Sequence, residues 1–184
     1  MLKVAHLYKE KLIPKLYETW YNSEYQYYYD TNPGIPDFPD KPDGFMQFVS
    51  IDEEDNIIGY MSYWIYEPAR RAMSFGIMCF DKGNPIFLQD CLQMFKDIFE
   101  KYHLLSMEWR CYADNERTLA LYRNFIYRYG GVEVGKLRQN GASFERNYED
   151  TFIFEIISTD LSWDFGKIIP KRRGHKKRPE AMPF

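Results

Sequence analysis

The chain has 184 residues, 45% of them apolar and 18% aromatic, with a net charge of −3; it is long enough to bury a sizeable core and too apolar for a disordered or fibrous class. No uncharged stretch approaches the ~18 apolar residues that span a bilayer, and MLKVAHLYKEKL breaks its apolar residues with Lys and Glu, unlike a secretion signal, so a cytoplasmic protein is expected. Residues 165–184 carry seven Lys/Arg against Glu180, which leaves the tail at +6 and residues 1–164 at −9; an acidic body argues against a nucleic-acid-binding fold, and the tail alone suits an anionic partner.

The first 30 residues read as helix, with Leu2, His6, Leu12 and Leu16 at loose helical spacing before the aromatic run YNSEYQYYY. NPGIPDFPDKPDG then packs four Pro and two Gly into 13 residues, which makes a loop. Residues 45–51 (FMQFVSI) read as a strand, DEEDN as a turn and IIGYMSYWIYEP as a second strand, together a hairpin. Residues 71–80 continue as a third strand with Met73, Phe75, Ile77 and Cys79 on one face. After DKGNP, residues 86–103 carry a long apolar helical stripe, with Asn84 as N-cap and Pro85 at the first helical position. LLSMEWRCY is a strand, NERTLALYRNFIYRY a helix closed by Gly130 and Gly131, and VEVGKLR and DTFIFEII are two further strands. This order predicts an α/β or α+β fold, a mixed sheet covered by helices, in a single domain over 1–164, followed by a flexible basic tail over 165–184. Cys79, Cys91 and Cys111 are odd in number, lie in apolar segments and show no close pair, which predicts reduced core thiols; with only three histidines, no metal site is expected.

Two strand-to-helix junctions attract attention, because ligands collect beyond the carboxyl ends of strands and a helix N-terminus faces anions with free N–H groups. At Asp81-Lys82-Gly83-Asn84-Pro85, Gly83 permits a left-handed turn and Lys82 adds charge, so the loop reads either as an anion cradle or as a plain helix cap. At the second junction Asn115 caps the next helix, and Tyr122 follows seven residues later, about two turns on and along the same face.

Asn115, Ala120, Leu121 and Tyr122, then Gly130-Gly131-Val132-Glu133-Val134-Gly135, then Asp150-Thr151-Phe152-Ile153-Phe154-Glu155, stand in an order that resembles the GNAT acetyltransferase superfamily over residues 45–157. The resemblance implies a GNAT-like mixed sheet in which two strands, here residues 71–80 and 105–113, splay around the thioester of acetyl-CoA, which serves as co-substrate. It implies transfer of the acetyl group to an amine on a small molecule or protein, with a catalytically silent binding module as the alternative, and with a homodimer as open as a monomer. The diphosphate would sit at residues 82–87. Only Gly83 stands where the family has more glycines and Pro85 has no N–H, so the amides of Gly83, Asn84, Ile86 and Phe87 are the expected donors, beside Lys82 and with Asn115 also at the cofactor. A backbone N–H near Met78 or Phe80 is the expected oxyanion donor. Tyr122, a phenol with an ordinary pKa of ~10, is the expected general acid for the departing thiolate. Glu108, which shares a strand face with Arg110, is a candidate for the base, with Glu155 as its rival; the structural alternatives are an ion pair for the first and an edge-facing acid for the second. The helix and proline loop of residues 1–44 are expected at the acceptor site, where aromatic walls and an acidic body suit a cationic amine.

Overall fold

The computed structural model describes residues 1–19, 22–28, 37–41, 43–142 and 148–162. The basic tail and residues 32–36 and 42 of the proline loop lie outside the described residues.

A seven-stranded sheet is built from β1 (Leu2–Val4), β2 (Phe45–Ile51), β3 (Ile57–Tyr66), β4 (Arg71–Cys79), β5 (Ser106–Tyr112), β6 (Val132–Ala142) and β7 (Tyr148–Ile157), in the spatial order β1-β2-β3-β4-β5-β7-β6. Every neighbouring pair is antiparallel except β4 and β5. The helices are α1 (Lys9–Thr19), α2 (Pro85–Glu100) and α3 (Glu116–Tyr129), with 3-10 turns at Ala5–Tyr8 and Ser23–Tyr28. This is the α+β class expected of the sequence. The N-terminal reading needs correction: residues 2–4 are an edge strand on β2, and the helix beyond Thr19 gives way to a 3-10 segment kinked at Tyr25. Three residues are too few to show a period, and only the register Leu2–Ser50 to Val4–Phe48 makes them a strand.

Local chemistry sets the element ends. In the β2–β3 turn Asp52 Oδ1 accepts from the N–H groups of Glu54 and Asn56 at 3.0 and 2.8 Å, and Asp55 turns left-handed at φ 63°. Asn84 caps α2, its Oδ1 accepting from the Ile86 N–H at 3.0 Å with Pro85 next in line. α3 ends on Gly130 at φ 83°, where its backbone touches Asp160, so a side chain would meet that carbonyl.

The sheet alternation feeds two cores. Phe48, Met61, Tyr63, Met107, Trp109 and Phe154 pack under α2 and α3, while Val49, Ile57 and Met78 pack under α1 through Leu12 and Leu16. Cys91 and Cys111 are buried thiols of the first core, and Cys79 packs at its margin. One polar residue of α2 departs from the expected stripe: Asp90 is buried and accepts from the Ser50 hydroxyl at 2.6 Å.

β4 carries the feature that positions the site. Its register against β3 shifts between Ser62 and Trp64, and Ser74 has a left-handed φ of 55°, so the strand holds a bulge. The bulge changes which residues share a face: Ala72, Phe75, Ile77 and Cys79 pack toward α2 and α3, and Met73 does not join them as the plain alternation predicted. β4 pairs with β5 only through Arg71–Ser106 and Ala72–Met107, and beyond the bulge the strands separate.

Gly59 on β3 has its backbone against the Phe87 ring, where an added Cβ would lie 2.1 Å from a ring atom. Gly59→Ala should therefore cost about 1–3 kcal/mol by overpacking, read as a lower midpoint in urea with an unchanged slope.

Candidate functional site

Where β4 and β5 part, a cleft of about 260 Å³ opens between them. On the side of α2 and α3 it is lined by Phe75, Ile77, Cys111, Asn115, Thr118 and Tyr122. On the opposite face it is lined by Tyr27, Arg110, Tyr112, Thr151 and the β6 residues Asn140 and Gly141. The cleft thus runs through the sheet, and the two residues of the α3 junction that sequence spacing put on one face, Asn115 and Tyr122, meet in it.

Each lining residue is held by its own neighbours. Asn115 accepts from the Thr118 N–H at 3.2 Å as the α3 cap. The Tyr122 ring stands edge-on to Trp109 and Phe154, with centroids 5.9 and 5.7 Å away, so an aromatic cluster fixes its ring plane. Cys111 is buried and its thiol is pushed up to about 12 by that burial, which keeps it neutral and unreactive. On the opposite face Tyr27 and Tyr112 lie 5.8 Å apart, and the Tyr27 hydroxyl donates to the Asp114 carbonyl at 3.3 Å. Gly141 lies so close to the Tyr112 ring that an added Cβ would sit 2.5 Å from it. Burial first, then the Asp114 and Glu149 charges, raise the Tyr112 phenol above its ordinary value, so Tyr112 stays protonated at neutral pH. Thr151 is 5% exposed, and its hydroxyl has no hydrogen-bond partner among the described residues.

The Met78 and Phe80 N–H groups, the expected oxyanion donors, are engaged by β3. The Phe80 N–H donates to the Ile58 carbonyl at 2.9 Å. Hydrogen-bonded pairs alternate along an antiparallel ladder, so Met78, opposite Tyr60, likewise turns its N–H to β3. Between them the alternation turns the N–H groups of Ile77 and Cys79 toward the splay, and Ile77 lines the cleft. Sequence reasoning lacked the register that decides this parity.

The loop before α2 is only partly free to hold an anion. Gly83 takes a left-handed φ of 91° with open space around its Cα, as expected. Its neighbours are committed: the Ile86 N–H is taken by Asn84, the Asn84 N–H donates to the Asp81 carbonyl at 3.2 Å, and the Asn84 side-chain amide donates to the Asp81 carboxylate at 2.8 Å. Of the four expected amides, at most those of Gly83 and Phe87 remain for a ligand. Lys82 is exposed and ion-paired to Glu24 at 3.5 Å, and the Phe87 side chain belongs to the core rather than to any ligand.

Glu108 does not join the cleft lining. Its carboxylate is held by Arg71 at 3.0 Å and by Arg110 at 3.4 Å, and Glu155 is held by the same Arg71 at 2.8 Å. A base whose oxygens already accept from guanidinium groups is poorly placed to take a proton from substrate, which corrects both expectations. Tyr27 lies in the aromatic run expected at the acceptor site, whereas Tyr112, Thr151 and Gly141 were missed by sequence reasoning. The alternating polar position of Thr151 within DTFIFEII was the one signal available for any of them.

No protein-family model and no curated protein matches the sequence. Among solved structures the fold is similar to spermidine/spermine N-acetyltransferase SpeG from Vibrio cholerae, with 21% identity, a TM-score of 0.55, and coverage of 62% of this chain and 66% of that one. A SpeG chimera from Vibrio cholerae and hSSAT is similar at 22% identity and a TM-score of 0.56, over 64% of this chain and 71% of that one. The SpeG enzymes belong to the GNAT superfamily, and the fold described above is the GNAT fold.

Replacing the unpartnered hydroxyl of Thr151 by a methyl group relieves the desolvation of an unpaired polar atom. Thr151→Val should raise stability by about 1 kcal/mol, seen as an increase in Tm of the free protein.

Proposed function

With the GNAT fold as premise, we propose that this protein is an N-acetyltransferase that uses acetyl-CoA and acts on an amine. The observation that carries the reading is the splay of β4 and β5 into a cleft lined by both Asn115 and Tyr122. In this reading the pantetheine arm enters from the side of α2 and α3, and the acetyl thioester lies between the strands. The amine nitrogen, having lost a proton to water, attacks the thioester carbonyl carbon and forms a C–N bond. The Ile77 N–H then donates to the oxyanion of the tetrahedral intermediate. The C–S bond breaks and the thiolate takes the phenolic proton of Tyr122, while the nitrogen, cationic after attack, releases its extra proton to solvent and the phenoxide recovers one from solvent. The products are an acetylated amine and coenzyme A.

Acceptor access falls to the opposite face. The Tyr27 and Tyr112 rings form a wall, and Asp114 and Glu149 are the charged groups that act on Tyr112. Rings flanked by carboxylates suit a cationic amine, of which spermidine, the acceptor named for the structural neighbours, is one example. A silent binding module is not favoured, because the cleft is open between the strands and Tyr122 is among the residues that line it.

Titration calorimetry with acetyl-CoA, followed by thiol-release assays over spermidine and a set of primary amines, tests the proposal. No binding up to millimolar acetyl-CoA would defeat it. Tyr122→Phe should lower kcat by about 10²-fold while leaving the acetyl-CoA Kd close to wild type, and an unchanged kcat would remove Tyr122 from proton transfer. Asp81 holds a carboxylate at the mouth of the loop that would receive the diphosphate. Asp81→Asn should therefore tighten acetyl-CoA binding, with the gain shrinking as salt is raised.

A further inference from the structure

At the closed end of the splay, Glu108 of β5 and Glu155 of β7 stand directly opposite each other in the antiparallel register. Like charges in that relation destabilise a strand pair unless a cation lies between them. Here the cation comes from a third strand. Arg71 of β4 donates from Nε to the Ser106 hydroxyl at 3.1 Å, from Nη1 to Glu108 at 3.0 Å and from Nη2 to Glu155 at 2.8 Å. One planar guanidinium thus ties β4 to β5 and to β7. The carboxylates are 17% and 24% exposed and Arg71 34%, so solvent screens these pairs less than fully exposed ones. Arg71 is also one of only two β4 residues that pair with β5, three positions before the bulge residue Ser74. Backbone bonds close the same corner: the Leu105 N–H donates to the Arg70 carbonyl at 2.7 Å, and the Ser158 N–H donates to the Leu105 carbonyl at 2.8 Å.

We infer that Arg71 is a positioning residue for acyl transfer: it pins the vertex of the splay and so sets the separation of β4 and β5 on which the thioester cleft depends. The inference rests on the acetyltransferase reading for its functional part. Lysine keeps the charge but is a single point donor on a flexible stem, and it cannot hold a hydroxyl and two carboxylates in one plane.

The test uses the full chain and compares wild type, Arg71→Lys, Glu155→Gln and a control, Leu12→Ala, an α1 residue buried in the second core and not part of the cleft lining. Arg71→Lys should weaken acetyl-CoA binding about 10-fold and speed amide exchange at residues 70–73 and 105–108 by a similar factor, roughly the local opening expected when a planar clamp is lost. Leu12→Ala, with a comparable or larger fall in Tm, should keep both readouts close to wild type. Glu155→Gln should shift both in the same direction by less, and it carries the test if Arg71→Lys does not fold. Unchanged exchange at the vertex, or a binding loss no greater than that of Leu12→Ala, overturns the inference. Wild-type protein that binds no acetyl-CoA defeats the functional reading and with it the role at the cleft, while the exchange arm reports separately on the clamp.

Discussion

Strand β4 has two neighbours and satisfies them unequally. Along β3 it pairs from Arg71 to Cys79, but along β5 it pairs at two residues and then turns away at a bulge. A parallel neighbour left unpaired inside a sheet exposes backbone donors and acceptors that a buried site cannot leave empty for long. Everything else at the cleft follows from that separation. The Ile77 N–H has no strand to donate to, the α3 junction lines the gap, and the aromatic cluster of Trp109, Tyr122 and Phe154 holds the Tyr122 ring beside it.

The polar groups around the gap divide into those already satisfied and those left over. Asp81, Asn84 and Ile86 satisfy one another, and Glu108, Glu155 and Arg71 do the same at the other end. Among the described residues, those left facing the gap include the Ile77 and Cys79 amides and the Thr151 hydroxyl, whereas the Gly83 N–H acts on the Cys79 thiol. Charge follows the same division. The guanidinium and carboxylate groups at the vertex balance, whereas the mouth near Tyr112 has carboxylates nearby without an equal number of cations in the lining.

Much of the fold was legible because its signals are local. Asn84-Pro85 and Gly130-Gly131 bracket helices by capping chemistry, and DEEDN closes a hairpin through Asp52. The α3 junction was legible for the same reason, since Asn115 and Tyr122 are related by helical geometry alone. Residues 2–4 were illegible because three residues become a strand only through β2. Which N–H groups of β4 face the gap was illegible because a one-residue change in register reverses them, and the bulge at Ser74 is visible in no pattern of apolar residues. The Arg110 partner of Glu108 was legible from the strand alternation, but Arg71, which holds the same carboxylate more closely, lies 37 residues away in sequence.

The seat of Phe87 on Gly59 has a further meaning. Phe87 belongs to the first turn of α2, and its ring rests on the backbone of β3 with no room to shift inward. The loop before α2 is therefore bolted to the sheet at one end, and its pitch is settled before any ligand arrives. A donor meeting that end encounters a rigid, preorganised surface, so little ordering entropy is lost there on binding. Whatever adaptation the cleft makes to different partners has to come from the other face, where Tyr27 stands on a kinked 3-10 segment and Gly141 on an irregular hairpin.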